Sequence, residues 1–286
     1  MTAPHASTDD LLRASVRADG RVTLDPRFAG LPETAHGGTV LALFDAVASR
    51  GGASRAGARV VAGTYRRRVP LGSPLTLAVE RSDPVTRVRL LDGATLLVDG
   101  TVEDGIGPES PDAPPSARSP ESVLPLSKTC FACGTENALG LRVQLAIDDD
   151  RVHSVWTPRD ELRITGQDRL APVALTALLD EAAFWLGAAA SGESGMTTEL
   201  RVRLHAPVAF GKPIVVAGSR AAVHARAEDP RYWETSVAAW DGAGTLVASA
   251  AITFVAVRGA ARKLVTGLLA VNPADVLRRV FPAYVP

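Results

Sequence analysis

The sequence predicts an α+β protein in which one pattern, a long apolar helix followed by antiparallel strands, is written twice along 286 residues. Three alignments within the chain lead there. The stretch TVLALFDAVA (39–48) matches ALTALLDEAA (174–183), each of helical length with an acidic residue at the same place. YRRRVPLGSPLTLAV (65–79) matches VRLHAPVAFGKPIVVAG (202–218), a strand broken at a proline, turned at Gly-x-Pro and resumed. LDGATLLVDGTVE (91–103) matches WDGAGTLVASAAIT (240–253), each a hairpin with Asp-Gly at its turn. Self-similarity on this scale means two copies of one structural unit.

The elements follow in order. In the first half a strand is expected over 21–24, a helix from about Gly38 to Ser49, and strands near 60–69, 75–81, 86–91 and 95–102. The second half reads as strands over 141–147 and 152–156, a helix from about Pro172 to Ala189, then strands near 198–204, 214–221, 233–240 and 245–257. Alternation such as Leu75-Thr-Leu-Ala-Val79 supports the strands, because every second side chain faces one side of a sheet. One helix followed by several strands leaves little room for a Rossmann unit, which alternates the two. Residues 106–126 are rich in Pro and Ser without apolar period, and read as a linker. The expected domains are therefore 1–105 and 127–258, with a tail over 259–286. Asn272-Pro273 in that tail starts a short helix over 274–280.

Composition excludes several classes. Basic and acidic residues number 31 each, so neither nucleic acid nor a membrane surface is expected as a partner held by bulk charge. The apolar run from Leu170 to Ala190 is interrupted by Asp180-Glu181, a costly pair inside a bilayer. The N-terminus has no basic segment leading into an apolar one. A cytoplasmic protein is expected, and the Arg- and Ala-rich composition suggests a GC-rich bacterial genome. Cys130 and Cys133 are the only cysteines, too few for a disulfide framework.

The stretch HGGTVLALFD (36–45) resembles the His-Gly-Gly…Asp signature of hotdog thioesterases similar to phenylacetyl-CoA thioesterase. CFACGTENALGLRV (130–143) resembles the Cys-x-x-Cys-Gly-x-x-Asn-x-x-Gly-Leu opening of many proteins in that superfamily. Together with the Pro-x-x-Gly-x-Pro strand break, the resemblance covers most of both halves. It implies two fused hotdog domains, each a sheet wrapped on a central helix, paired side by side as a pseudo-dimer. It also implies a thioesterase acting on an acyl-CoA or acyl-carrier thioester, with no cofactor beyond the coenzyme A moiety of the substrate. Related hotdogs commonly associate further, so the resemblance leaves homo-oligomerisation of the pseudo-dimer open. Finally, the resemblance assigns the oxyanion donor to Gly37 and the acidic role to Asp45.

Thioester hydrolysis needs donors to the developing oxyanion and a carboxylate as base or nucleophile. Unpaired N–H groups at a helix start supply the first, and Gly37 and Gly38, lacking a Cβ, let a carbonyl approach them. Gly37 and Asp45 are eight residues apart, so roughly 12 Å separates them along one helix. The partner of Gly37 must then come from the other helix, where the matching residue is Asp180, with Glu181 beside it. At the other helix start the counterpart of His36-Gly37-Gly38 is Ala171-Pro172-Val173, and proline has no N–H to donate. One competent site, Gly37 with Asp180 or Glu181, and one degenerate site near Pro172 and Asp45 are expected.

Plainer readings stand beside these. Gly37-Gly38 forms a tight turn in any case, and His36 serves better as a loop hydrogen-bonding group than as a proton carrier. Asp45 and Asp180 would also suit structural hydrogen bonds in an apolar helix. Asn137 suits either substrate orientation or a turn cap. Arg66-Arg67-Arg68 suits either solvent or the phosphates of coenzyme A, with Arg67 the candidate contact. Phe184 and Trp185 suit either an acyl pocket or core packing. For Cys130 and Cys133 a structural turn is expected rather than a metal site, since zinc asks for about four ligands and no second Cys pair or ligand-like His cluster follows. A non-catalytic acyl-thioester binding protein and a hotdog dehydratase are the alternatives to a hydrolase. The second relies on an Asp/His pair, and His36 is the one histidine that the sequence places near either helical carboxylate.

Overall fold

The computed structural model describes residues 6–49, 57–105 and 122–285. In chain order the first unit holds α1 (Thr8–Ala14), β1 (Arg21–Val22), α2 (Gly37–Ala48), β2 (Arg59–Tyr65), β3 (Leu75–Ser82), β4 (Val85–Asp92) and β5 (Thr95–Asp104). The second holds β6 (Ser122–Val123), β7 (Ala146–Ile147), β8 (Arg151–Trp156), α3 (Pro172–Ser191), β9 (Gly195–Leu204), β10 (Ile214–Ser219), β11 (His224–Ala225), β12 (Tyr232–Asp241) and β13 (Leu246–Ala256). Two helices close the chain, α4 (Ala260–Leu268) and α5 (Ala274–Arg278).

The strands make one antiparallel sheet, ordered β1-β3-β4-β5-β2-β9-β13-β12-β10-β8-β7-β6, with β11 on the side of β12. Each unit repeats one arrangement. Counting from the strand before its helix, the order is first, third, fourth, fifth, second in both β1-β3-β4-β5-β2 and β8-β10-β12-β13-β9. The second strands meet at the centre, where β2 pairs β9 from Arg59↔Leu204 to Thr64↔Glu199. Backbone hydrogen bonds therefore run unbroken from one unit to the other, which makes the pair a single body.

The helices sit against this sheet because their sequences leave no polar face. All residues of α2 from Gly38 to Ala48 are buried, and α3 is buried from Val173 through Ala183; a helix apolar all round has no stable place at a surface. By length and composition α3 would cross a membrane, but 83% of its apolar window is buried inside the protein. The two helices touch where a Cβ on Gly38 would stand 2.4 Å from the Thr176 carbonyl oxygen and 2.6 Å from Ala177 Cα. Only glycine allows that crossing.

Several segments differ from expectation. The strand expected over 141–147 is reduced to Ala146–Ile147. Leu141, Val143 and Leu145 are buried, but the first two donate their N–H groups to Phe131 and Ala132 in the cysteine loop. Alternating burial is thus met by a packed loop instead of a ladder. The expected linker lies outside the described residues over 106–121; its end, Ser122–Val123, is an edge strand of the second unit. The tail helix spans Ala274–Arg278 rather than 274–280. Two helices carry no expectation from sequence. Helix α1 opens with a Ser7–Asp10 capping box and docks on the second unit, Thr8 Oγ1 donating to the Leu139 carbonyl at 3.1 Å. Helix α4 buries Ala261, Val265 and Leu268, one stripe of an amphipathic helix. Asn272 ties the tail down through three hydrogen bonds to Leu126 and Leu268 of 2.7–2.8 Å.

Candidate functional site

The start of α2 and the middle of α3 meet at the wall of a cavity of about 620 Å³. His36 is the N-cap of α2, with extended backbone at φ −64° and ψ 131°. The chain then turns into the helix through two glycines. The N–H of Gly38 donates to Asp180 Oδ2 at 2.8 Å and lies 3.2 Å from His36 Nδ1. The carboxylate holds the shorter, charge-assisted bond, so Nδ1 can keep a proton directed at Asp180 Oδ2, 3.2 Å away. The second Asp180 oxygen accepts from Thr197 Oγ1 on β9 at 2.7 Å.

Gly37 borders the cavity next to Asp180. A Cβ there would approach Asp180 Oδ2 to 2.7 Å, so the missing side chain is what lets the two meet. Its carbonyl accepts from the Tyr65 hydroxyl at 2.7 Å, which fixes the peptide. Its N–H, at the first helical position, has no acceptor within the helix and carries the positive end of the helix dipole. A fixed donor and a fixed carboxylate thus stand side by side, from different helices.

Glu181, the neighbour of Asp180, faces a different set of groups. Its Oε1 accepts from Trp185 Nε1 at 2.9 Å, while Oε2 lies 3.4 Å from His36 Nε2 and 3.7 Å from Cys130 Sγ. Burial alone would push this carboxylate up; His36, then Cys133 and Trp185, pull it below the usual range instead. For His36, burial disfavours the imidazolium, but the hydrogen bond to Glu181 and the charges of Asp180 and Cys130 outweigh it and raise its pKa to about 9. Burial also holds the Tyr65 hydroxyl well above its ordinary value, reinforced by the charge of Asp180.

The remaining expected residues are dispersed. Asp45 is held by Arg59 of β2, with Nε 2.5 Å from Oδ1 and Nη2 2.7 Å from Oδ2, both side chains buried. At the start of α3 the cap residue Ala171 makes no side-chain cap bond and Pro172 is the first helical residue. The position that matches Gly37 therefore has no N–H to offer. Gly38 has its N–H on Asp180 and its Cβ space filled by the α3 backbone, so it serves the helix crossing and is not a wall of the cavity. Asn137 donates to the carbonyls of Arg27 and Thr129 and accepts from the Leu139 N–H, three bonds that close a turn away from the cavity lining. Arg67 does border the cavity, exposed between Arg66 and Arg68. Lys128 and Lys263 extend that basic rim, and Phe184, Trp185, Leu264 and Leu268 supply apolar wall. Thr197, Tyr65 and Lys263 carry no signal in the sequence; only the fold brings them here.

A sheet wrapped on a helix, present twice and joined edge to edge, defines the double hotdog fold. Solved structures similar to the chain carry the same architecture. One is a putative thioesterase from Novosphingobium aromaticivorans DSM 12444, 21% identical with a TM-score of 0.58, matched over 85% of this chain and 98% of that one. Another is the tesB protein of Mycobacterium avium subs paratuberculosis, 14% identical with a TM-score of 0.61, over 86% and 98%. GphF dehydratase 1 matches at 17% identity and a TM-score of 0.52, over 83% and 92%. No protein-family model matches the chain, and no curated protein matches it.

Proposed function

We propose that the protein hydrolyses an acyl-CoA or acyl-carrier thioester at one site, made by Gly37 of α2 and Asp180 of α3. The observation that carries this is the Asp180 carboxylate set against the Gly37 backbone at the cavity wall. With the acyl carbonyl in the cavity, its oxygen takes the Gly37 N–H, which is worth most where charge develops in the transition state. Asp180, oriented by Thr197 and the Gly38 N–H, deprotonates an attacking water or attacks the carbonyl carbon itself. The tetrahedral intermediate then collapses and expels the thiolate; where the carboxylate itself attacks, water hydrolyses the resulting acyl–Asp180 anhydride and frees the acid. The basic rim of Arg66, Arg67, Arg68, Lys128 and Lys263 suits phosphate groups at the mouth. The aromatic wall suits the acyl group. Thioesterases among the similar structures support the same chemistry.

A dehydratase is the second reading, and one distance favours it. His36 Nδ1 and Asp180 Oδ2 form an Asp/His pair across the two helices at 3.2 Å, and GphF dehydratase 1 shares the fold. Against it, both ring nitrogens of His36 face carboxylates, which leaves neither free for a substrate proton. Hydrolysis of a panel of short, long and aryl acyl-CoAs, followed by thiol release, tests the proposal. Asp180→Asn is expected to lower kcat by about 10²–10⁴-fold, the range for a lost acid–base group, while folded Asp45→Asn keeps its turnover. The opposite pattern would overturn the cross-helix assignment. Acyl-CoA binding without turnover in the wild type would favour a binding protein, and conversion of a 3-hydroxyacyl-CoA to the enoyl form a dehydratase.

A further inference from the structure

Beside the proposed hydrolytic pair, the structure gathers four metal-ligating side chains from three separate segments. His36 comes from the cap of α2, Glu181 from α3, and Cys130 and Cys133 from the loop before β7. All four are buried. The ligating atoms of His36, Cys130 and Glu181 lie within 4.8 Å of one another, and Cys133, three residues further along the same loop, lines the same cavity. We propose that His36 Nε2, Glu181 Oε2 and Cys130 Sγ hold a single zinc ion, with the Cys133 thiol turning in to complete a closed site.

Two of the distances match those between zinc ligands. Tetrahedral zinc with bonds of about 2.0–2.3 Å sets its ligand atoms roughly 3.3–3.8 Å apart. His36 Nε2 stands 3.4 Å and Cys130 Sγ 3.7 Å from Glu181 Oε2, so little movement is needed. Thiolates with imidazole and one carboxylate are a donor set for zinc rather than for magnesium or calcium.

The backbone of the cysteine loop is shaped for the purpose. The Ala132 N–H points at Cys130 Sγ at 3.4 Å, and the Gly134 N–H donates to the Cys130 carbonyl at 2.9 Å. A Cβ on Gly134 would stand 2.1 Å from that carbonyl oxygen, so only glycine closes this turn. Outer partners orient the other two ligands. Asp180 Oδ2 lies 3.2 Å from His36 Nδ1, the carboxylate–histidine relation that leaves Nε2 for a metal. Trp185 occupies Glu181 Oε1 and leaves Oε2 directed at the cluster.

All four ligands border the cavity, which gives the ion a path from solvent. Once bound, it would tie the start of α2 and the cysteine loop to α3 within one residue of both Gly37 and Asp180.

The test uses the full chain, stripped with a chelator, kept reduced, and titrated with Zn²⁺ by calorimetry and with Co²⁺ by visible absorption. One equivalent of Zn²⁺ is expected, with tetrahedral bands and thiolate-to-metal charge transfer in the Co²⁺ form. Cys133→Ser and Glu181→Gln should each weaken binding by more than the roughly 10–100-fold that loss of an outer partner costs, and Asp180→Asn should fall within that range. Should Cys133→Ser not fold, the wild-type Co²⁺ spectrum and Glu181→Gln decide. Substoichiometric Zn²⁺, Co²⁺ without thiolate bands, undiminished affinity in Glu181→Gln, or a Cys130–Cys133 disulfide persisting in reductant would overturn the proposal. None of these readouts involves thioester turnover, so their failure leaves the hydrolase reading untouched.

Discussion

Asp45 and Asp180 hold the same place in the two copies of the repeat, yet the strand that follows each helix gives them different partners. Strand β2 brings Arg59, whose guanidinium covers both oxygens of Asp45. Strand β9 brings Thr197, whose hydroxyl fixes one oxygen of Asp180 and leaves the other to the start of α2. A guanidinium fork saturates a carboxylate and neutralises it; a hydroxyl aims it without removing its charge. The helix starts diverge in the same sense. Ahead of Asp180 stand two glycines with N–H groups; the equivalent start on α3 has Pro172. The two halves therefore share a skeleton but not a carboxylate environment, one carboxylate closed off by a guanidinium and the other bordering the cavity.

Three substitutions probe this difference, in decreasing order of effect. Arg59→Met strands the Asp45 carboxylate in the core and is expected to destabilise the fold by about 3–5 kcal/mol in denaturant titration. Its remaining folded fraction should hydrolyse substrate normally; a turnover defect beyond the loss of folded protein would place Asp45 in the chemistry. Gly38→Ala forces a methyl group into the α3 backbone at Thr176. A loss of about 1–3 kcal/mol is expected, together with reduced turnover because Asp180 is pushed from α2. An unchanged melting curve would mean the crossing is looser than the distances indicate. Pro172→Ala restores a donor at the start of α3 and should alter stability by less than about 1 kcal/mol. No new activity is expected while Arg59 occupies Asp45, and a gain in turnover would show that the donor alone was missing.

The contrast also shows where sequence reading fails. The acidic residue on each helix is visible by alignment, and so is the proline that removes one donor. Arg59 is 14 residues from Asp45 and Thr197 is 17 from Asp180, separations that carry no periodic signal. The cysteine loop is a sharper case. Read along the chain it lacks two ligands for a metal, because His36 and Glu181 lie 94 positions before and 51 after Cys130.

Local patterns by themselves determined the repeat, the two apolar helices, most strands and the asymmetry of the helix starts. Each of these depends on periodicity or on the covalent character of glycine and proline, which neighbours in sequence express directly. Tertiary structure alone decided that Gly38 serves a helix crossing, that Asp45 is neutralised, and that Glu181 turns to the cysteines rather than to Gly37. It also docked α1 and α4 across the second unit. Those outcomes rest on which side chain arrives from a distant strand or loop, and on close approaches of a few ångströms that no local pattern encodes.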